Sequence, residues 1–249
     1  MAFDMGRKLV RIAVDAMGGD YAPQEIVEGA IQAARRDGAE VILVGSEDAI
    51  QRELEKCDAS KLPICVVNAS QIIHEGESPV AVLRQKQDAS VLVAMRLVKE
   101  GEADAVVSMG PTGVVMVNAI ETLGKLDDIK RPAVGGFLCG FAPDTIVFDM
   151  GSNADCKPRN LLNFAVIGCV VAQKILHISN PTVALLSNGA EEGKGNLLVK
   201  RAYQLFKESE LNFIGNIEGN DIPRGKANVI VCDGFTGNIL IKFCEGLGD

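Results

Sequence analysis

Ten residues, Ser187-Asn-Gly-Ala-Glu-Glu-Gly-Lys-Gly-Asn196, join a short apolar run to a segment of helical character. The apolar run is Val183 to Leu186, and the helical segment is Leu197 to Lys207. Three glycines surround Lys194, so the backbone here can turn its amide groups toward an anion while an ammonium group lies beside them. The order of strand, glycine-rich loop and helix is typical of an α/β fold, and it makes the loop a candidate phosphate-binding site.

This loop is not a Walker A motif. Only three residues separate Gly189 from Gly193, and Gly195 stands where that motif has the Ser or Thr that binds magnesium. Glycine, asparagine and glutamate are also common in surface turns, so an ordinary turn is the alternative interpretation. The loop on its own leaves both interpretations open.

The same order of strand, glycine-containing loop and helix recurs along the chain. The five loops of this kind are residues 15–20, 108–113, 149–155, 187–196 and 233–238. Strands that alternate with helices predict a mostly parallel sheet with helices on both faces. Loops that follow parallel strands lie at one edge of the sheet, where ligands bind in open α/β sheets. We therefore predict a single α/β catalytic domain over residues 1–249, with an anion-binding crevice at that edge.

The composition restricts the classes of function. The chain has 249 residues, 26 glycines, 47% hydrophobic residues and a formal net charge of −8, which disfavours a duplex nucleic-acid binder. Its seven cysteines are scattered without a Cys-x-x-Cys pair, as is typical of proteins from a reducing compartment. The N-terminal residues lack the apolar segment of a signal peptide, and the longest apolar segment, Leu161 to Ala172, is too short to span a bilayer. We expect a cytoplasmic protein.

The sequence predicts neither a metal site nor an organic cofactor. His74 and His177 lie far apart and have no nearby set of ligands, which disfavours zinc. Magnesium held by the strand-end aspartates is a minor alternative. No Gly-x-Gly-x-x-Gly follows the first predicted strand, so an NAD-dependent dehydrogenase is also disfavoured.

The glycine loops, in their order, resemble the signatures of the bacterial phosphate acyltransferase of phospholipid synthesis, the PlsX family. The resemblance covers nearly the whole chain from Arg11 onward. The matching segments are Val14-Asp-Ala-Met-Gly-Gly-Asp20, Ser108 to Gly113, Asp149 to Asp155 with Lys157-Pro158, Glu191 to Asn196, Gly215 to Glu218, and Asp233-Gly-Phe-Thr-Gly-Asn238.

The resemblance implies transfer of a long-chain acyl group from acyl carrier protein to inorganic phosphate, which forms acyl phosphate for a membrane glycerol-3-phosphate acyltransferase. It also implies a homodimer, a fold similar to that of the isocitrate/isopropylmalate dehydrogenases and phosphate acetyltransferases, and peripheral contact with the inner face of the cell membrane as an open alternative. A phosphate acetyltransferase that uses acetyl-CoA, or a non-catalytic scaffold that binds acyl carrier protein, are the competing functions.

Two departures from the family pattern stand out. Pro111 replaces the usual Asn or Ser, which removes a side-chain donor and a backbone amide and leaves Thr112 as the better contact. Family members also continue for several more helices beyond the position of Asp249, so we expect this sequence to be a piece of a longer protein that lacks those C-terminal helices.

The resemblance and the loop chemistry together assign site residues. The predicted catalytic residues are a phosphate-binding cation, Lys194, and two neutral donors, Asn196 and Asn238, for which helix capping is the alternative role. The predicted substrate-binding residues are Asp15, Gly18, Gly19, Asp20, Thr112, Gly113, Asn153, Lys157, Asp149, Asp233, Thr236 and Gly237. We expect the aspartates to organise the loops, by accepting loop amides or by pairing with Lys157 or Lys194.

Cys156 precedes Lys157, whose charge could lower the thiol pKa and favour a covalent acyl-enzyme. The family resemblance implies that a small residue is tolerated at this position. We therefore expect Cys156 to have no catalytic role.

Overall fold

The computed structural model describes residues 9–74, 76–127, 129–138 and 142–248. It consists of two compact units, one that ends at Leu126 and one that begins at Asp127. No helix among the described residues is long and apolar enough to cross a membrane.

The first unit contains a four-stranded parallel sheet in the order β3-β2-β1-β4. Its strands are β1 (Arg11–Asp15), β2 (Glu40–Gly45), β3 (Ile64–Asn68) and β4 (Ala105–Val107). Its helices are α1 (Gln24–Asp37), α2 (Glu47–Glu55), α3 (Pro79–Gln85), α4 (Ser90–Lys99) and α5 (Thr112–Leu123).

Strand β2 is apolar from Val41 to Val44 because both of its faces are covered there. Val41 and Leu43 pack with α1 and α2, while Ile42 and Val44 pack with α4. Successive side chains of a strand point to opposite faces, so a strand that is buried on both sides is a continuous apolar run.

The second unit contains a five-stranded sheet in the order β5-β6-β9-β7-β8. Its strands are β5 (Gly135–Leu138), β6 (Ala142–Phe148), β7 (Val183–Leu186), β8 (Phe213–Ile217) and β9 (Val229–Val231). Its helices are α6 (Pro158–Ile175), α7 (Leu197–Lys207), α8 (Gly234–Gly248) and a 3₁₀ helix over Gly219–Arg224. All neighbouring strands are parallel except β5, which pairs antiparallel with β6. The sequence favours such a hairpin, since a Gly/Pro turn joins the apolar runs 133–138 and 145–148.

Helices also cover both faces of the second sheet. Phe164 of α6 and Phe206 of α7 are fully buried on one face, against Val229 and Val231. Ile230 faces the other way, into a cluster that includes residues of α8 and the 3₁₀ helix. The predicted α/β class is confirmed, with the strands divided between two sheets. That both units act as one catalytic domain stays a prediction.

The sequence predicts that the last helix starts at Ile239 and that Asp88 or Ser90 caps the helix over residues 91–100, and both predictions are wrong. Helix α8 begins at Gly234 and not at Ile239, because Asp233 caps it from its own loop. Helix α4 is capped by Ala89, since the carboxylate of Asp88 instead accepts the backbone N–H and the hydroxyl of Ser70 at 2.7 and 2.5 Å.

Candidate active site

The loops at residues 149–155 and 233–238 are bound to each other at the carboxyl edge of the second sheet. They follow β6 and β9, which are adjacent parallel strands. The amide of Gly234 donates to the carbonyl of Asn153 at 2.8 Å, and the amide of Asp149 donates to the carbonyl of Cys232 at 3.1 Å. Strand order therefore brings together two loops that are distant in sequence.

Asp149 organises the loop that follows it. Its carboxylate is fully buried and accepts five hydrogen bonds. Oδ1 accepts the amides of Gly151 and Ser152 and the Ser152 hydroxyl, at 2.7–3.0 Å. Oδ2 accepts the backbone amide and the side-chain Nδ2 of Asn153, both at 2.8 Å. Because these donors satisfy the buried charge, Asp149 shapes the backbone of its loop, as expected from the sequence.

Asp233 performs a similar local role at the start of α8. Its Oδ1 accepts the backbone amide of Thr236 at 2.8 Å, which is the hydrogen bond that an N-terminal helix cap makes. The side chain of Thr236 remains half-buried beside it.

Two asparagine side chains shape the loop between β7 and α7. Asn188 Oδ1 accepts the amide of Gly195 at 2.9 Å, which closes the loop near its end. Asn196 Oδ1 accepts the amide of Val199 at 2.9 Å and caps α7. Gly195 has a φ of +94° and lies against Val199, a combination that favours glycine at this position. Asn196 is therefore a helix cap in this structure.

Lys194 is exposed at the tip of the same loop. Its backbone amide donates to the carbonyl of Glu191 at 3.0 Å. Within the described part of the chain its ammonium group has no hydrogen-bond or ion-pair partner, and the same is true of the exposed Lys157. Of the two expected roles of the loop aspartates, the described residues show the acceptance of loop amides and not the pairing with these lysines. Lys194 is therefore left available to an anion.

A cavity of about 350 Å³ lies between the starts of α7 and α8. Its polar lining is Ser187, Asn188, Asn196, Asp233 and Thr236, and the other lining residues are Leu161, Leu186, Gly195, Val199 and Cys232. The Ser187 hydroxyl oxygen is buried and has no hydrogen-bond partner among the residues described. The cavity can therefore offer neutral donors to a small polar ligand.

The lining of this cavity includes Asn196 and Thr236 but not Lys194 or Asn238. Asn238 is exposed in the first turns of α8. Its Nδ2 lies 3.0 Å from the point that a β-carbon on Gly151 would occupy, so its side chain packs against the backbone of the 149–155 loop. The loop of Lys194 contributes to the cavity through its neighbours Gly195 and Asn196.

The other two candidate loops meet in the first unit. Asp15 is only 3% exposed, and its Oδ2 accepts the hydroxyl of Ser108 at 2.6 Å. A β-carbon on Gly18 would lie 2.4 Å from this carboxylate oxygen and 2.9 Å from the amide nitrogen of Gly110. The 15–20 and 108–113 loops therefore pack directly together, and Asp15 organises them.

Four predicted contacts of the first unit are exposed, namely Gly19, Asp20, Thr112 and Gly113. Thr112 and Gly113 form the first turn of α5, and Pro111 precedes it at the cap position. The carbonyl of Pro111 accepts the amides of Val114 and Val115, so the proline is accommodated in the helix start.

Cys156 is held as a neutral thiol. Burial, with a smaller contribution from the nearby carboxylates of Asp149 and Asp233, raises the pKa of Cys156 to about 11. Its Sγ donates to the carbonyl of Asn153 at 3.3 Å. A lowered pKa caused by Lys157 is thus contradicted, and a thiolate nucleophile at this position is not supported.

Sequence reasoning missed three side chains of this region as site residues. Ser187 and Asn188 line the cavity, and Asn216 of β8 holds the Lys194 loop from the neighbouring strand. The sequence gives only a weak indication of their role, because polar residues at the ends of strands are also common in ordinary turns. Only the pairing of β7 with β8 brings Asn216 to the loop.

The comparisons with known proteins agree with the resemblance seen in the sequence. The profile of a family described as fatty acid synthesis protein matches residues 10–249. The chain is 50% identical over 239 residues to a phosphate acyltransferase from Heliobacterium modesticaldum, with 96% of this chain and 71% of that protein covered. It is 48% identical over 241 residues to a phosphate acyltransferase from Syntrophomonas wolfei, with 96% and 75% covered.

In fold, the chain is similar to the crystal structure of a 4-hydroxythreonine-4-phosphate dehydrogenase from Burkholderia phymatum. The TM-score is 0.54 at 13% identity, over 96% of this chain and 84% of that chain. Similarity at this level concerns the fold alone, and it agrees with the α/β class. The match to the family profile over nearly the whole chain, with the identity to these relatives, shows that the chain belongs to the fatty acid synthesis protein family, alongside the bacterial phosphate acyltransferases.

Proposed function

We propose that this protein transfers an acyl group from a thioester donor to inorganic phosphate and forms acyl phosphate. The names of its relatives support acyl transfer to phosphate as the reaction. The proposed donor is long-chain acyl-acyl carrier protein, and the product serves phospholipid synthesis through a membrane glycerol-3-phosphate acyltransferase. A homodimer in the cytoplasm, with peripheral contact at the inner membrane face, completes the proposal.

The cavity between the starts of α7 and α8 carries this proposal. Helix N-termini present unpaired amides and the positive end of the helix dipole, and both favour an anion. The unpartnered hydroxyl of Ser187 and the side chain of Thr236 add neutral donors to this cavity. The exposed ammonium of Lys194, which has no partner within the described ranges, is the proposed cation for phosphate, carried by the loop that lines the cavity with Gly195 and Asn196.

The reaction requires positioning and charge stabilisation more than a covalent nucleophile. A phosphate oxygen attacks the thioester carbonyl carbon, the carbonyl oxygen becomes an oxyanion, and the C–S bond breaks as the C–O–P linkage is completed. The leaving thiolate takes a proton from solvent. Holding phosphate next to the thioester lowers the entropic part of the barrier, and fixed donors stabilise the oxyanion. The neutral thiol of Cys156 takes no part.

Distinct roles follow for the predicted residues. Lys194 binds phosphate, and Asn196 and Asn238 use their side-chain amides as donors to phosphate or to the oxyanion. The carboxylates of Asp149 and Asp15 accept hydrogen bonds from loop donors, so that they shape the site without repelling phosphate.

The remaining predicted residues form the surrounding contacts. These are Gly18, Gly19, Asp20, Thr112, Gly113, Asn153, Lys157, Asp233, Thr236 and Gly237.

The test is a phosphate-dependent assay in which acyl phosphate is trapped as a hydroxamate. Palmitoyl-acyl carrier protein and acetyl-CoA are compared as donors. We expect product from the carrier-protein donor only, whereas turnover with acetyl-CoA alone would favour an acetyltransferase. Absence of acyl phosphate with either donor, together with binding of the carrier protein, would favour the non-catalytic scaffold.

Lys194→Met is the matching variant, with Lys200→Met on the exposed side of α7 as its control. A charge-assisted hydrogen bond contributes ~1.5–3 kcal/mol, so the phosphate KM should rise ~10- to 100-fold in Lys194→Met. Lys200→Met should keep the wild-type value. A wild-type phosphate KM in Lys194→Met would remove the proposed role of this lysine.

A further inference from the structure

Asn216 links β8 to the loop of Lys194. It is 3% exposed, near the end of a strand whose residues pair with β7, and its Cα is the register partner of Leu185. Its Nδ2 donates to the carbonyl oxygen of Glu191 at 3.0 Å. A buried strand residue therefore makes a direct hydrogen bond to the backbone of an exposed loop.

The same carbonyl oxygen also accepts the backbone amide of Lys194 at 3.0 Å. A carbonyl has two lone pairs, so it can accept both donors at once. The amide of Lys194 closes the turn from Glu191 to Lys194, and Asn216 fixes that turn to the sheet. The position of the lysine relative to the ends of β7 and β8 thus depends in part on the side-chain amide of Asn216.

A second anchor holds the other end of this loop, where Asn188 accepts the amide of Gly195. Residues 191–194 are exposed, and two glycines flank Lys194, so the sequence of this loop does little to restrict its conformation. Glu192 of the same turn is bound to α7, where Gln204 and Lys207 donate to its carboxylate. These contacts lie on the exposed surface, so the bond from Asn216 is the buried one that ties the turn to the sheet.

From this arrangement we infer that Asn216 is a positioning residue for phosphate binding, which acts through the turn that carries Lys194. The inference rests on the proposed role of Lys194. Asn216 does not touch the substrates in this assignment. It reduces the conformations open to the lysine and so reduces the entropy that is lost when phosphate binds.

The other atom of the Asn216 amide makes a sharp test possible. Its Oδ1 is buried and has no hydrogen-bond partner in the described part of the molecule. A buried acceptor without a partner destabilises the folded state, so its removal offsets the lost bond to Glu191, whose carbonyl keeps the amide of Lys194 as a donor. Asn216→Leu should therefore retain stability and lose only the anchor.

Asn118 in α5 provides a matched control. It is also fully buried, its Nδ2 donates to a backbone carbonyl, that of Val114, at 2.7 Å, and its Oδ1 also lacks a partner among described residues. Asn118→Leu repeats the same chemical change in a helix of the first unit. Thermal unfolding, phosphate KM, donor KM and kcat are measured for both variants.

We expect both variants to unfold within a few degrees of the wild-type temperature. Asn216→Leu alone should raise the phosphate KM, by about 3- to 10-fold, with the donor KM unchanged, since one neutral hydrogen bond is lost. Amide hydrogen exchange of a peptide covering residues 187–196 should become faster in Asn216→Leu and stay unchanged in Asn118→Leu. An unchanged phosphate KM and unchanged exchange in Asn216→Leu would overturn the inference.

The double variant Asn216→Leu/Lys194→Met separates the inference from the function on which it rests. If Asn216 acts through Lys194, the two effects on phosphate KM should be less than additive. A raised KM in Lys194→Met with full additivity would refute the positioning role alone, whereas a wild-type KM in Lys194→Met would refute the proposed phosphate site itself. Should Asn216→Leu fail to fold, Asn216→Ala removes the same donor, and its exchange rate and phosphate KM decide the question in the same way.

Discussion

Gly237 lies so close to the backbone of Asp149 that a β-carbon on residue 237 would stand 1.8 Å from the Asp149 carbonyl oxygen. This contact joins the first turn of α8 to the loop that follows β6. Backbone atoms cannot move aside as the end of a flexible side chain can. Close approach of the two loops therefore requires glycine at position 237.

We predict that Gly237→Ala is strongly destabilising. The added methyl group would force α8 away from the 149–155 loop, at a cost of about 3 kcal/mol, the upper range for overpacking. Gly246→Ala, in the same helix, is the control, because a β-carbon there meets no atom within 4 Å. It should raise stability by about 0.5 kcal/mol, since alanine restricts the unfolded chain. Thermal unfolding of the two variants measures the difference, and equal unfolding temperatures would contradict the contact.

Asn196 has two possible roles that one pair of variants can separate. Asn196→Asp keeps an oxygen that can accept the amide of Val199, so the cap and the stability should be retained. The added negative charge should weaken phosphate binding and raise the phosphate KM. Asn196→Ala removes the cap and should cost about 1 kcal/mol of stability. If Asn196→Asp has a wild-type phosphate KM, Asn196 is a helix cap and nothing more.

Ser187→Ala tests whether the cavity binds phosphate. Because the Ser187 hydroxyl has no partner among the described residues, its removal should leave stability unchanged or slightly higher. If phosphate accepts a hydrogen bond from it, the phosphate KM should rise ~2- to 10-fold. Thr145→Val is the contrasting control, since the buried Thr145 hydroxyl donates to the carbonyl of Ala227 at 2.9 Å. That variant should lose ~1 kcal/mol of stability with an unchanged phosphate KM. An unchanged phosphate KM in Ser187→Ala together with a raised phosphate KM in Thr145→Val would contradict phosphate binding in this cavity.

Cys156→Ala should turn over at the wild-type rate. With the pKa of Cys156 raised to about 11, its thiol stays protonated from neutral pH to beyond pH 9, so it supplies no thiolate nucleophile in that range. The pH–rate profile of Cys156→Ala should accordingly coincide with that of the wild type between pH 6 and pH 9. A loss of the burst phase or of turnover in this variant would revive the covalent acyl-enzyme.

Much of the fold could be predicted because its signals are local. Strand β7 and helix α7 begin and end at the predicted residues, and the hairpin of β5 and β6 was also expected. The start of α8 could not be read in the same way. Its first turn contains Gly234 and Gly237, which lower helix propensity, and the reason for both glycines is contact with the 149–155 loop. Tertiary packing overrides local propensity at that point.

The sequence by itself determined the alternation of strands and helices, the glycine loops with Lys194 among them, and membership of the family, because these depend on residues that are neighbours in the chain. The tertiary structure decided which of those loops meet, because β9 lies between β6 and β7 and so sets the 233–238 loop beside the 149–155 loop. It also decided that Ser187 has a buried hydroxyl without a partner in the described residues and that Asn216 reaches the carbonyl of Glu191. Such contacts follow from the order of strands in a sheet, and strand order depends on the packing of the whole unit, which no local pattern specifies.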